Sequence, residues 1–251
     1  LSFVLYQRFG DRFLKATLYA IFAITLFQVA ASFVINFGRV RASLFFNNPN
    51  QLGYYSVLAA CLISVLQRRV GFGLLKSSIG LTACSYLALI TASRSALVGV
   101  GLLIALLFFT NPRVIAAAGV AAILVVIIGG SGGAVDRAID ESSRRIGEAP
   151  RNPDMSFFEE RGYDRIWNNK EYLLTGAAEG HADRFFDVRK RHNLEIHSSV
   201  GTLLFSYGLI GVSIFSVFIY RVVRGSRSRI ALMLLPIAMY SVAHQGLRFS
   251  L

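Results

Sequence analysis

The sequence predicts an all-α, polytopic transmembrane helical bundle of about seven spans, with a large, partly helical loop on its non-cytoplasmic side. Apolar runs such as residues 14–35 and 200–220 reach the ~20 residues that a helix needs to cross a bilayer. Only 16% of the residues are charged and 54% are hydrophobic, whereas soluble domains carry about 25% charge. The charges are also segregated. Thirteen of the fourteen acids and eleven of the Lys and Arg fall between Asp136 and Glu195, so the formal excess of +12 resides in the short connections between apolar runs. A nucleic-acid-binding protein would gather its bases on one polar surface, and that class is set aside.

Seven apolar segments follow in order, at about 14–35, 52–66, 77–92, 96–109, 114–128, 200–220 and 230–243. Several fall short of the usual span and must borrow polar flanking residues. A break at Ser93-Arg94-Ser95 separates the third from the fourth, because one helix over both would run about 50 Å against a ~30 Å hydrocarbon core. Gly129-Gly130-Ser131-Gly132-Gly133 ends the fifth. It lacks the trailing Lys-Ser/Thr of a phosphate-binding loop.

Lys and Arg in the short loops set the orientation. Arg8, Arg12, Lys15, Arg68, Arg69, Lys76, Arg113, Arg221, Arg224, Arg227 and Arg229 share one face, and Arg39, Arg41, Arg94 and Arg248 the other. Eleven against four makes the richer face cytoplasmic. No signal-peptide pattern precedes the first span, so further N-terminal helices are expected. The organisation predicted is 1–129 transmembrane helices, 130–196 an outer loop with short helices, and 197–251 C-terminal transmembrane helices. Cys61 and Cys84 sit within apolar spans without metal-like or disulfide-like spacing and read as small core residues.

Within the loop, residues 134–145 predict a short amphipathic helix, and Pro150-Arg151-Asn152-Pro153 breaks the chain. Residues 157–174 predict a second helix, with Phe158, Tyr163, Ile166, Trp167 and Leu173 supplying an apolar stripe. Arg161 and Arg165 are four apart on one face of it. They either pair with Glu160, Asp164 or other local carboxylates on a solvated surface, or form a guanidinium pair for phosphate. The mixed-charge stretch 183–191 is solvated, or meets anionic headgroups or substrate phosphates. His181 and His192 have no partner spacing and are left out of the site.

Glu195-Ile196-His197-Ser198-Ser199 leads straight into an apolar span, placing His197 at the outer mouth of a helix. An ionisable group there is costly and is a functional candidate. Imidazole suits proton transfer at neutral pH. The structural alternative is a histidine that caps the helix or bonds a loop carbonyl. Glu195, two residues away, would not face it on a helix. No H-E-x-x-H pattern is present, and Gly129-Gly130-Ser131-Gly132-Gly133, which has the G-x-S-x-G spacing, ends an apolar span rather than following the strand of a nucleophile elbow, which leaves a metal-free base with arginine electrophiles. Arg94, at a short interhelical turn, should face protein, a cavity or a substrate. Asn50, in the Asn47-Asn48-Pro49-Asn50 turn, emerges on the same face. So do His244 and Arg248, which either join a cavity or are ordinary interfacial residues.

Five features resemble the O-antigen ligase and polymerase superfamily of bacterial membrane glycosyltransferases. They are Asn48-Pro49-Asn50-x-x-Gly53, the Ser93-Arg94-Ser95 element, Arg161 to Trp167 followed by Leu174 to Gly180, the long loop itself, and His197-Ser198 with Gly208-x-x-Gly211 beyond it. The resemblance implies a metal-independent enzyme at the periplasmic face of the bacterial inner membrane, needing no cofactor. Its donor would be an undecaprenyl-diphosphate-linked glycan and its acceptor a second glycan or a lipid A core. Polysaccharide-assembly proteins and membrane lipids are further expected partners. His197 would match the family histidine that assists deprotonation of the acceptor hydroxyl. Arg94 would help hold the diphosphate, with Arg165 or Arg161 as the loop contribution. His197 and Arg94 should then share an extracytoplasmic pocket. Polymerase and ligase stay unresolved, with a lean to polymerase. The alternatives are a polysaccharide transporter or flippase, and a non-catalytic assembly subunit.

Overall fold

The computed structural model describes residues 2–35, 41–110, 112–116, 118–119, 134–147, 162–178, 196, 198–225 and 231–243. The described residues contain helices, turns and no strand. They form two compact units: residues 1–147 with 232–237, and residues 148–231 with 238–251.

The first unit is built on four antiparallel helices that follow α1 (Ser2–Phe9). These are α2 (Asp11–Ile35), α3 (Pro49–Leu66), α4 (Leu74–Ile90) and α5 (Arg94–Thr110). The start of α3 is written locally. Asn48 sits in extended backbone as the N-cap, its side chain accepts from Gln51 N, and Pro49 occupies the first helical turn, where its missing N–H costs nothing. The break between α4 and α5 falls at residues 91–93, beside the Ser93-Arg94-Ser95 position expected for it.

Small residues let these helices approach closely, as in membrane helix interfaces. A Cβ on Gly53 would stand 2.9 Å from Ala96 Cβ, and one on Gly80 2.9 Å from Ile63 Cδ1. Leu52, Val57, Ile63, Leu87, Ile90 and Leu103 are fully buried between them. Hydroxyls add cross-links, with Thr25 Oγ1 2.9 Å from Tyr55 OH and Ser32 Oγ 3.0 Å from Tyr86 OH. The amphipathic helix α6 (Ala134–Gly147) lies against α4 and α5. Its Glu141, almost fully buried, accepts from both Nε and Nη2 of Arg144 at 2.8 Å.

The second unit contains α7 (Asp164–Asn168), a 3₁₀ turn (Lys170–Tyr172) and α8 (Ser199–Gly225). A last helix, α9 (Leu235–Ala243), contributes residues to both units. Residues 157–174 therefore do not form one helix. The described part is a single short helix and a 3₁₀ turn, entered through Gly162 at φ +74°.

Two helices, α2 with 25 residues and α8 with 27, are long and apolar enough to cross a membrane. Their outward side chains fit that use, since Phe27 is 60% exposed and Ile214 67%. α4 and α5 have 17 residues each, about 25 Å of helix against a ~30 Å core. Length and composition thus support two spans, fewer than the seven expected. Most of the fifth predicted span, the glycine cluster 129–133, the Pro150–Pro153 break, residues 157–161 and the charged stretch 183–191 lie outside the described residues.

Candidate functional site

At the end of the first unit where α3 and α5 begin, α2 and α4 finish, and this places Asn50 and Arg94 at the same end. Arg94 is the first residue of α5 and is exposed; Asn50 is half-buried in the first turn of α3. A third residue ties this end together. Arg41 Nε donates to Thr91 O at 3.0 Å and its Nη2 to Asn50 Oδ1 at 3.3 Å, while Ala42 N donates to Ile90 O at 2.9 Å. Arg41 and Ala42 therefore cap the last carbonyls of α4, groups that a helix end leaves unpaired.

The turn they brace is tight. Ala92 holds φ +46°, a left-handed conformation uncommon for a residue with a Cβ. Thr91 Oγ1 donates to Ala88 O at 2.7 Å and accepts from Ser93 N at 3.2 Å. Ser93 is buried, and its Oγ has no hydrogen-bond partner among the described residues. Its carbonyl accepts from Leu97 N at 3.0 Å, opening α5. The first N–H groups of a helix and their positive dipole end favour an anion, and Arg94 adds a full charge there. An apolar cavity of about 310 Å³ opens along α5 from Val100 to Leu107 and is also lined by Leu81, Tyr86 and Leu89. Its near end is roughly 9 Å of helix rise from Arg94.

In the second unit, Arg165 lies half-buried in α7, with its carbonyl accepting from Asn169 Nδ2 at 2.8 Å. The stripe expected around it divides. Ile166 joins a core with Ala177, Ile196 and Phe205, against which Tyr163 and Leu173 pack, whereas Trp167 is exposed. The neighbouring Asp164 keeps a buried Oδ1 with no hydrogen-bond partner among the described residues.

His197, Arg161, His244 and Arg248 lie outside the described residues, as do His181, His192, Glu160 and Glu195. Both neighbours of His197 are described and buried. Ser198 is the N-cap of α8: its Oγ accepts from Gly201 N at 3.2 Å and from Tyr163 OH at 2.7 Å, and donates to Ser241 O at 3.5 Å. Ser198 thus caps the start of α8.

The glycines that follow have a mechanical reason. α8 is interrupted at Gly208, where φ is 64° and ψ −172°. The carbonyls of Phe205 and Ser206 accept from Ala177 N and Ala178 N at 2.8 and 2.9 Å, and Leu209 N and Ile210 N donate to Leu173 O and Leu174 O at 2.8 and 3.2 Å. Residues 173–178 thus replace the i to i−4 bonds that an unbroken helix would make at these positions. A Cβ on Gly176 would meet Ser206 O at 2.3 Å, and one on Gly208 would meet Leu174 O at 2.3 Å. Gly211 leaves room for Tyr207, whose Cβ would be 2.3 Å from a Cβ there.

Sequence reasoning treated Arg41 only as a topological charge and Tyr163 only as part of an apolar stripe. Neither role has a local signal, since the partners lie 50 and 35 residues away. In comparisons with known proteins, no family model, no curated protein and no solved structure matches this chain.

Proposed function

We propose that this chain is a metal-independent membrane glycosyltransferase of the O-antigen ligase and polymerase type, acting at the periplasmic face of the bacterial inner membrane. The acceptor hydroxyl would give its proton to His197 as its oxygen bonds the anomeric carbon of the donor glycan. The bond from that carbon to the diphosphate breaks, and undecaprenyl diphosphate leaves. Arg94 would offset the charge that develops on the leaving group, with Arg165 or Arg161 assisting. The observation that carries the reading is the braced turn at the start of α5. Arg41, Asn50 and Thr91 fix it, and Arg94 stands exposed on it at a helix N-terminus suited to phosphate. The apolar cavity along α5 suits part of an isoprenoid tail.

A broken helix is also a feature of transporters, which use unwound backbone to hold their cargo. That gives the transport reading one supporting observation. Against it, the four backbone groups freed on either side of Gly208 are all bonded by residues 173–178. The test is a lipid-linked oligosaccharide assay of the full-length protein in membranes, with a second lipid-linked repeat and a lipid A core offered separately. Wild type is expected to release undecaprenyl diphosphate and to extend one acceptor. His197→Ala is expected to abolish this with insertion unchanged. Full turnover in that variant would remove the mechanism, and glycan translocation without transfer would favour transport.

A further inference from the structure

At the end of the first unit where α2 and α4 begin and α3 and α5 finish, Arg8, Arg12, Lys15, Arg68, Lys76 and Arg113 all stand exposed. Residues 1–135 contain one acid, Asp11, and Arg69 takes it. The remaining cations are therefore not balanced from within that stretch. Gly10, at φ +55°, separates α1 from α2, and Arg69 spans the break by bonding Asp11 on one side and Tyr6 OH on the other. α1 is thereby kept beside the turn from α3 to α4 instead of prolonging α2, and its Arg8 stays at this end.

The charge is densest around Tyr19. Arg12, Lys15 and Tyr19 fall at i, i+3 and i+7 on one face of α2. From α4, Lys76 Nζ donates to Tyr19 OH at 2.8 Å and stands 4.9 Å from the centroid of that ring and 5.9 Å from that of Phe72. Three cations from two helices thus gather at one tyrosine. Arg12 and Lys15 have no hydrogen bond or ion pair among the described residues. Apolar side chains are set among these charges. Phe9 follows Arg8, and Leu74 and Leu75 precede Lys76; all three are exposed, Leu75 at 72%. A nucleic acid or an acidic protein would meet the cations and leave the leucines in water. The boundary between lipid headgroups and acyl chains takes both. A bilayer crossed by α2, which is long and apolar enough for it, has that boundary where α2 begins.

We propose that this end of the first unit is a binding site for an anionic phospholipid, with Arg12, Lys15 and Lys76 holding the headgroup phosphate and Leu74 and Leu75 lying against the acyl chains. Cations placed here also set the direction of insertion, but retention of one lipid in preference to another is a separate equilibrium. A phosphate among the three relieves their mutual repulsion. Each cation near an anionic lipid surface contributes about fivefold in affinity. The site needs α2 to lie across a bilayer and is independent of the transferase reading.

Native mass spectrometry of the full-length protein in detergent, titrated with phosphatidylglycerol or with phosphatidylcholine, tests this. Wild type should bind its first phosphatidylglycerol at least about tenfold more tightly than phosphatidylcholine. Arg12→Gln/Lys15→Gln changes two exposed side chains, so folding should be preserved, and most of the preference should disappear with phosphatidylcholine binding unchanged. Equal affinities in wild type would overturn the site. A preference that survives the double substitution would overturn its placement, since the anionic lipid is then held elsewhere. Displacement of phosphatidylglycerol by an equal concentration of inorganic phosphate would overturn the lipid assignment, because the leucines would then contribute nothing.

Discussion

The Arg41 clasp and the Gly208 break answer the same problem with different materials. Each supplies partners for carbonyls that a helix leaves unpaired, at Ile90 and Thr91 in one unit and at Phe205 and Ser206 in the other. The clasp uses one side-chain nitrogen and one backbone N–H, and its arginine spends a second nitrogen on Asn50. The break uses only backbone, threaded so closely that two glycines stand where any Cβ would collide with a carbonyl oxygen. A side-chain brace can be weakened by degrees. A backbone interlock is either closed or open.

The sharpest way to break this comparison is Gly176→Ala. The new Cβ would lie 2.3 Å from Ser206 O at a backbone φ of +83°. Overpacking, a left-handed alanine and the backbone hydrogen bonds put at risk add to about 3 kcal/mol or more. Thermal unfolding in detergent should show the loss as a large drop in midpoint. If the variant melts with wild type, residues 173–178 do not lock the break.

Next in size comes a pair of arginine replacements at one helix end. Arg41→Lys leaves one ammonium to serve two acceptors that the guanidinium bridges, and should cost roughly 1 kcal/mol of stability. Arg94→Lys alters an exposed side chain and should leave stability within about 0.5 kcal/mol; if the proposed transferase function holds, donor binding should weaken, because an ammonium cannot grip phosphate bidentately. Equal stability losses in the two variants would erase the distinction between the residue that braces the turn and the residue that the turn presents.

Much of the helical layout was legible because its determinants are local. The apolar segment 52–66 covers most of α3, which begins at Pro49 within the predicted turn, and the break predicted near 93–95 falls at 91–93. The apolar residues of 134–145, at 134, 135, 138 and 139, recur at helical spacing and mark α6. The second outer helix was misjudged for a physical reason. Its apolar spacing is helical, but Asn169 leaves the helical region at φ −129° and ψ 58°, and beyond the 3₁₀ turn the chain runs on to Ala177 and Ala178, which bond the carbonyls of α8. Spacing of side chains carries no signal for such a backbone turn. The same holds for the site. Asn50 and Arg94 could be picked out as polar groups at apolar helix ends, yet Arg41 could not, because its partner is a carbonyl with no sequence signature.

The smallest effect is expected at the opposite end of the first unit, and it isolates what makes the Arg41 clasp matter. Asp11, the one acid outside the loop segment, accepts from Arg69 Nε at 2.9 Å, and Arg69 also bonds Tyr6 OH. The carboxylate holds the guanidinium pKa above its ordinary value. The chemistry resembles that of Arg41, a guanidinium spanning two oxygens from different elements. Exposure is what differs, with the Arg69 and Asp11 side chains 53% and 61% exposed. Water and salt screen such a pair, and its net worth falls towards nothing. Asp11→Asn should therefore leave the unfolding midpoint where it is, at low and at high salt alike. If it destabilises as much as Arg41→Lys, then the guanidinium contacts themselves carry the energy, and the partial burial of Arg41 at the end of α4 is not what gives the clasp its strength.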